Sequence, residues 1–189
     1  MLRTALLLSL LAACDVGSVL NEGGAQPDAS GGGRMDSSGP VGTARLNVTL
    51  TTSQTATPVY QPANVLAVWV EDANGKIMKT IGRYADLRAI ALVAWGQKAG
   101  TNDVDALSGA TRTSHTDPVT LTAWDVTNRQ GQVIPDGTYT VRMEVSDTNA
   151  ITTTANNQGT FTFVKGPNPQ MQTGLSNGGF TNVSISYTP

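Results

Sequence analysis

A chain of 189 residues is enough for one domain, and 12 basic against 14 acidic side chains leave a formal charge of −2, which excludes a basic surface for nucleic acid. Aromatic residues are 5% and charged residues 14% of the chain; with Gly, Thr, Ser and Asn plentiful, this composition favours strands and turns over long helices. One cysteine and one histidine exclude an intrachain disulfide and a multi-histidine metal site.

At the N-terminus Arg3 supplies a positive charge, and Ala5 to Leu11 (ALLLSLL) forms an apolar run. The run is far short of the roughly 20 residues of a permanent membrane span and fits the core of a secretory signal. Leu11-Ala12-Ala13-Cys14 follows at once and resembles the bacterial lipobox. The resemblance implies a signal peptide over residues 1–13, acylation of Cys14, and a protein tethered by lipid in the cell envelope, on its periplasmic or outer-surface side. From Cys14 to residue 43 the chain is rich in Gly, Ser and Asp and almost devoid of aromatic and β-branched residues, so it cannot bury enough surface to fold. As a flexible tether it would have a root-mean-square reach of about 30 Å.

Residues 44–189 read as one domain. Ala44 to Thr51 alternates apolar and polar residues; Val65 to Glu71 (VLAVWVE) is a denser apolar run, expected of a central strand. Asp72-Ala73-Asn74-Gly75 predicts a tight turn, with Lys76 to Ile81 returning as a hairpin partner. Tyr84 to Trp95 predicts a helix with Tyr84, Leu87, Ala91 and Trp95 on one face, ended by Gly96; Arg83 and Arg88 beside it are candidate anion ligands. Further strands are predicted over Val119 to Trp124, Tyr139 to Ser146, Gly159 to Val164 and Val183 to Tyr187, with Pro135-Asp136-Gly137 as turn chemistry. The expectation is a mainly β fold, an immunoglobulin-like β-sandwich of about seven strands with one short helix.

Between helix and sandwich lies a polar loop, Gly100 to Asp117, that contains Asp105-Ala106-Leu107-Ser108-Gly109-Ala110-Thr111. This stretch resembles the acceptor motif of bacterial flavin transferases: an Asp, two free positions, Ser or Thr, then Gly-Ala-Thr. The resemblance implies that Thr111 accepts FMN as a phosphoester, delivered from FAD by a magnesium-dependent transferase. Ser108, Gly109 and Ala110 would form the small approach and Asp105 a recognition residue. Small side chains before the threonine suit a loop that must enter another enzyme's active site.

A second resemblance spans much of the domain. Val68 to Lys76, Arg83 to Trp95, Val104 to Arg112, Trp124-Asp125 and Gly131 to Glu144 are similar to a family of predicted periplasmic proteins of unknown function, whose members can occur near flavin-transfer and membrane redox genes. Trp124 to Val141 also resembles the last hairpin of flagellar-hook-cap immunoglobulin-like domains. Both support the fold more than the function.

Other constellations carry less. His115, in a polar loop, is expected to be solvated. Asp72, Asn74, Asp103, Asp105, Asp117, Asp125 and Asn128 lack the spacing of a calcium loop, and turns explain them. Ser114, His115 and Asp117 are too close in sequence to converge as a triad. Trp69, Trp95 and Trp124 sit on apolar faces as core residues. Two readings follow: an electron carrier with FMN on Thr111, served by a flavin transferase and membrane redox proteins, or a non-redox binding or assembly module of the envelope. No catalytic constellation stands out for an enzyme.

Overall fold

The computed structural model describes residues 43–99, 107–108 and 111–189, with the backbone alone at 107–108. The cleavage site, Cys14 and the tether lie outside the described residues. Among the described residues nine strands form: β1 Arg45–Thr52, β2 Val65–Glu71, β3 Ile77–Tyr84, β4 Leu107–Ser108, β5 Val119–Thr120, β6 Gly137–Ser146, β7 Asn157–Lys165, β8 Gln170–Asn177 and β9 Phe180–Thr188. Seven of them are long, and β4 and β5 are two-residue additions. They make two sheets, ordered β5-β1-β9-β8 and β4-β3-β2-β6-β7. The mainly β sandwich expected from the sequence is thus the fold observed.

The apolar run of β2 has a plain cause. Leu66, Val68 and Val70 point into the core between the sheets, while Val65, Ala67 and Trp69 face the opposite way into a second apolar cluster. A strand buried on both faces loses its alternation. The inter-sheet core is completed by Leu46, Val48 and Leu50 of β1, Val141 and Met143 of β6, and Phe163, Val183 and Tyr187. Phe163 is its aromatic hub, edge-on to Trp124 at 6.5 Å and stacked on Tyr139 at 5.7 Å. Tyr139 also donates its hydroxyl to the Pro135 carbonyl at 2.7 Å. This ties the start of β6 to the turn before it, as the tyrosine corner of immunoglobulin-like domains does.

The outer cluster is roofed by a short helical layer. A 3-10 turn covers Leu87–Ala91 and α1 covers Val93–Ala99. This corrects the expected single helix of Tyr84 to Trp95: Tyr84 ends β3, Gly96 lies inside α1 rather than after it, and Leu87 is 92% exposed. Ala91 and Trp95 are buried as expected. The layer is held by Glu144 of β6, which is fully buried. Its carboxylate accepts the Ala94 and Trp95 N–H groups at 3.0 and 2.8 Å, and the Asn156 amide at 2.8 Å. A carboxylate there satisfies free N–H groups in the first turn of a helix too short to hold itself together.

Two strands depart from expectation. The segment from Val119 is strand only to Thr120, although Leu121 and Trp124 still bond to β1. Strand β8 has no apolar alternation, because it is an edge strand whose side chains are mostly exposed. Its glutamines instead bond the edge of the other sheet: Gln170 to both backbone groups of Val164, and Gln172 to the Thr162 carbonyl at 2.8 Å. Side-chain amides here occupy edge groups that would otherwise be open to pairing. The hairpin-like stretch from Trp124 leads into β6, which lies between β2 and β7 in the second sheet.

Candidate functional site

One end of the sandwich gathers the segments of interest. There β1 ends at Thr52, β2 begins at Val65, β3 ends at Tyr84 and β6 ends at Ser146. The opposite end holds the start of β1 at Arg45.

Of the motif residues, Asp105, Gly109 and Ala110 lie outside the described residues. Ser108 belongs to β4, which runs parallel to β3 with Leu107 opposite Arg83 and Ser108 opposite Tyr84. Thr111 is half-buried. The next residue, Arg112, exchanges two backbone hydrogen bonds with Asn64, just before β2. In the sheet order β4-β3-β2, Ser108 therefore lies on the outer side of β3 and Arg112 beside the start of β2, with Thr111 directly before that anchored position.

What secures it is a polar network that sequence reasoning missed. The Arg112 guanidinium donates to Thr52 Oγ1 at 3.0 Å, to Asn64 Oδ1 at 2.9 Å and to the Asp117 carbonyl at 3.0 Å. Burial lowers its pKa, against opposing pulls from Tyr84 and Asp117. Thr52 Oγ1 meets His115 Nδ1 at 2.9 Å. On the far side of the ring, His115 Nε2 is 3.3 Å from Asp147 Oδ2 but is not aligned for a good hydrogen bond. Asp147 is fully buried and also accepts the Thr55 hydroxyl and the Thr55 N–H.

His115 is therefore buried, 7% exposed, and not the solvated loop residue expected. Burial, and secondarily the Arg112 charge, lower its pKa; Asp147 pulls the other way without winning. This favours the neutral ring. Thr52 Oγ1 also donates to the His115 carbonyl at 3.3 Å, and the Nδ1 contact fits either ring tautomer. Nothing in this cluster is an exposed nucleophile. Ser114 caps a turn by accepting the Thr116 and Asp117 N–H groups, so no Ser114–His115–Asp117 triad forms. The only sequence signal was polar residue type in a loop, and chain spacing could not show that Thr52, Asn64, Arg112, His115 and Asp147 converge.

The oxygen-rich turns are closed locally. Asp72 Oδ1 accepts the Asn74 and Lys76 N–H groups, Asn128 Oδ1 those of Gln130 and Gln132, and Asp125 Oδ1 the Thr127 hydroxyl. Among the described residues no cluster of three or more His, Cys, Asp or Glu side chains has metal-binding geometry.

Beside β4 a groove of about 600 Å³ opens between the 3-10 turn, α1 and β3. Trp95, Gly96, Leu92, Asp86 and Arg83 line it, and Arg83 lies over the Trp95 ring at 5.6 Å. Arg88 is otherwise engaged, 3.9 Å over the Tyr60 ring and bonded to the Thr148 carbonyl at 3.1 Å.

Fold and site together define an immunoglobulin-like sandwich with a polar loop pinned at one end. The model of a family described as predicted periplasmic protein (DUF2271) matches residues 45–157. The chain belongs to that family. The match runs from β1 to the start of β7 and includes the motif, the buried network and the groove. No curated protein and no solved structure matches the chain.

Proposed function

We propose that this protein is a lipid-anchored electron carrier of the cell envelope, held through Cys14 and carrying FMN covalently on Thr111. The observation that carries the reading is the position of Thr111. It is the last residue of an acceptor-type motif, half-exposed, and directly precedes the Arg112–Asn64 anchor. A hydroxyl there is reachable by a transferase, yet fixed to the rigid end of a sheet once modified.

In the modification step the Thr111 Oγ–phosphorus bond forms, the FAD pyrophosphate bond breaks, AMP leaves, and the hydroxyl proton passes to a base of the transferase. Attached FMN supplies one- and two-electron transfer; the chain sets its exposure and electrostatics. The phosphoester also prevents loss of the flavin by dissociation, so a shallow site suffices. A flavin transferase and membrane redox proteins are the partners, and the bilayer is contacted through the lipid. Strand β1 starts at the end of the sandwich opposite Thr111.

The test is co-expression with a flavin transferase followed by in-gel fluorescence under denaturing conditions. A fluorescent band that disappears in Thr111→Ala supports the reading; an unlabelled wild type beside an active transferase removes it.

One observation favours the second reading, a non-redox binding or assembly module. Leu87, Ile90 and Ile151 are 92%, 87% and 90% exposed at the end that bears the loop, where the Arg88–Thr148 bond joins their two segments. Apolar side chains so exposed suit a protein partner. A Thr111→Ala protein that keeps full function in the cell would favour this reading.

A further inference from the structure

We infer that the groove between β3 and α1 receives the isoalloxazine ring of the flavin attached at Thr111, an inference that rests on the flavin reading above. Three observations point there. First, the groove adjoins the motif: Arg83 lines its wall, and the backbone of Arg83 is the register partner of Leu107 in β4. A flavin bonded by its phosphate at the end of the motif and folded back along β3 meets this groove.

Second, the groove has the size and chemistry for the ring. Its volume of about 600 Å³ lies within the range of small-molecule sites. Ala89, Ile90 and Val93 give apolar walls with the buried Leu92 and Trp95 behind them, and Arg83 and Asp86 stand on the same lining. The pyrimidine edge of a flavin presents two carbonyl acceptors flanking one N–H donor, which an arginine and a carboxylate can match. Arg83 Nε is buried without a hydrogen-bond partner, so the guanidinium retains donor capacity.

Third, Gly96 has no structural reason to be glycine. It lies within α1, its φ is not in the left-handed region, and a Cβ built on it meets nothing within 4 Å. Glycine inside a helix costs about 1 kcal/mol relative to alanine. Gly96 is exposed on the groove lining, so an alanine leaves the groove open whereas a large side chain placed there reaches into it.

The experiment compares flavinylated wild type with Gly96→Phe, Gly96→Ala and Arg83→Gln, each checked by intact mass for the adduct and by circular dichroism for the fold. In wild type, flavin fluorescence should be quenched severalfold relative to the unfolded adduct, because the groove brings the ring close to Trp95, and its anisotropy should be that of the whole domain. Gly96→Phe should fill the groove, releasing the fluorescence and lowering the anisotropy while the adduct remains. Gly96→Ala should behave as wild type. Arg83→Gln should lower the flavin midpoint potential, since a cation beside the ring offsets the negative charge gained on reduction. If wild type and Gly96→Phe carry the adduct with identical fluorescence and anisotropy, the groove inference fails and the Thr111 reading stands. If no protein carries an adduct, the Thr111 reading fails and the groove inference fails with it.

Discussion

His115 and Asp147 face each other inside one end of the sandwich, Nε2 at 3.3 Å from Oδ2, with the carboxylate fully buried and the ring nearly so. His115 follows the loop that carries Thr111, and Asp147 follows β6 of the central sheet. Thr52 and Arg112 extend the contact, so the exit of the motif loop is tied to β1, β2 and β6 together. Hydrogen bonds from Arg112 and Thr52 to separate segments hold them in one arrangement, with His115 Nε2 the ring atom that has no aligned partner.

The network has a pH signature. The pKa of His115 is lowered in the folded state, so below about pH 6.5 the unfolded chain binds a proton more readily than the folded one. Stability should be constant above about pH 7 and should fall as pH drops through 6.5, by at most about 1.4 kcal/mol per pH unit for the one group. Urea denaturation at pH 7.5 and 5.8 measures it, and His115→Gln should flatten the difference. An unchanged pH dependence in that variant would place the titration elsewhere.

Glu144 is the second buried hinge point. Glu144→Ala leaves the Ala94, Trp95 and Asn156 donors without their acceptor, at a cost of about 3 kcal/mol. Hydrogen exchange should show the helical layer loosening before the sheets. Equal protection of Trp95 in variant and wild type would contradict the capping role.

Two glycines should respond in opposite directions. Gly178 has φ +57°, and a Cβ there would lie 1.6 Å from the Gln158 carbonyl oxygen, so Gly178→Ala should destabilise by about 2 kcal/mol or more. Gly96→Ala, in open space, should stabilise by about 0.5–1 kcal/mol. Thermal melts of the two variants against wild type decide both.

Cys14→Ser tests the anchor. The Arg3, ALLLSLL and Leu-Ala-Ala-Cys pattern leads to the expectation that the wild type incorporates labelled palmitate and the variant does not. Equal labelling of both would remove the lipoprotein reading.

Much of the architecture is legible in the sequence, and the exceptions have physical causes. The β2 run and the Asn74-Gly75 turn are local signals, and each appears where expected, with Gly75 at φ +74°. The helix was overextended because Tyr84 and Leu87 fit a helical period, whereas Tyr84 is consumed by pairing with Leu66. Strand β8 went unseen because an edge strand stabilised by Gln170 and Gln172 carries no hydrophobic pattern. The motif was visible as sequence, but its surroundings were not. His115 looked solvated because nothing local shows that Thr52, 63 positions earlier, and Asp147 close over it. Gly96 lines the groove, whereas its local sequence signal is that of a helix terminator.

The central claim is covalent FMN on Thr111, and peptide mass spectrometry tests it most directly. Protein co-expressed with a flavin transferase is digested, and the peptide containing Thr111 is fragmented. The account predicts a mass increase equal to FMN less water, confined to Thr111, kept in Thr111→Ser at lower yield and absent in Thr111→Ala. An unmodified Thr111 peptide from cells whose transferase labels another substrate, or an adduct located on a different residue, would contradict it.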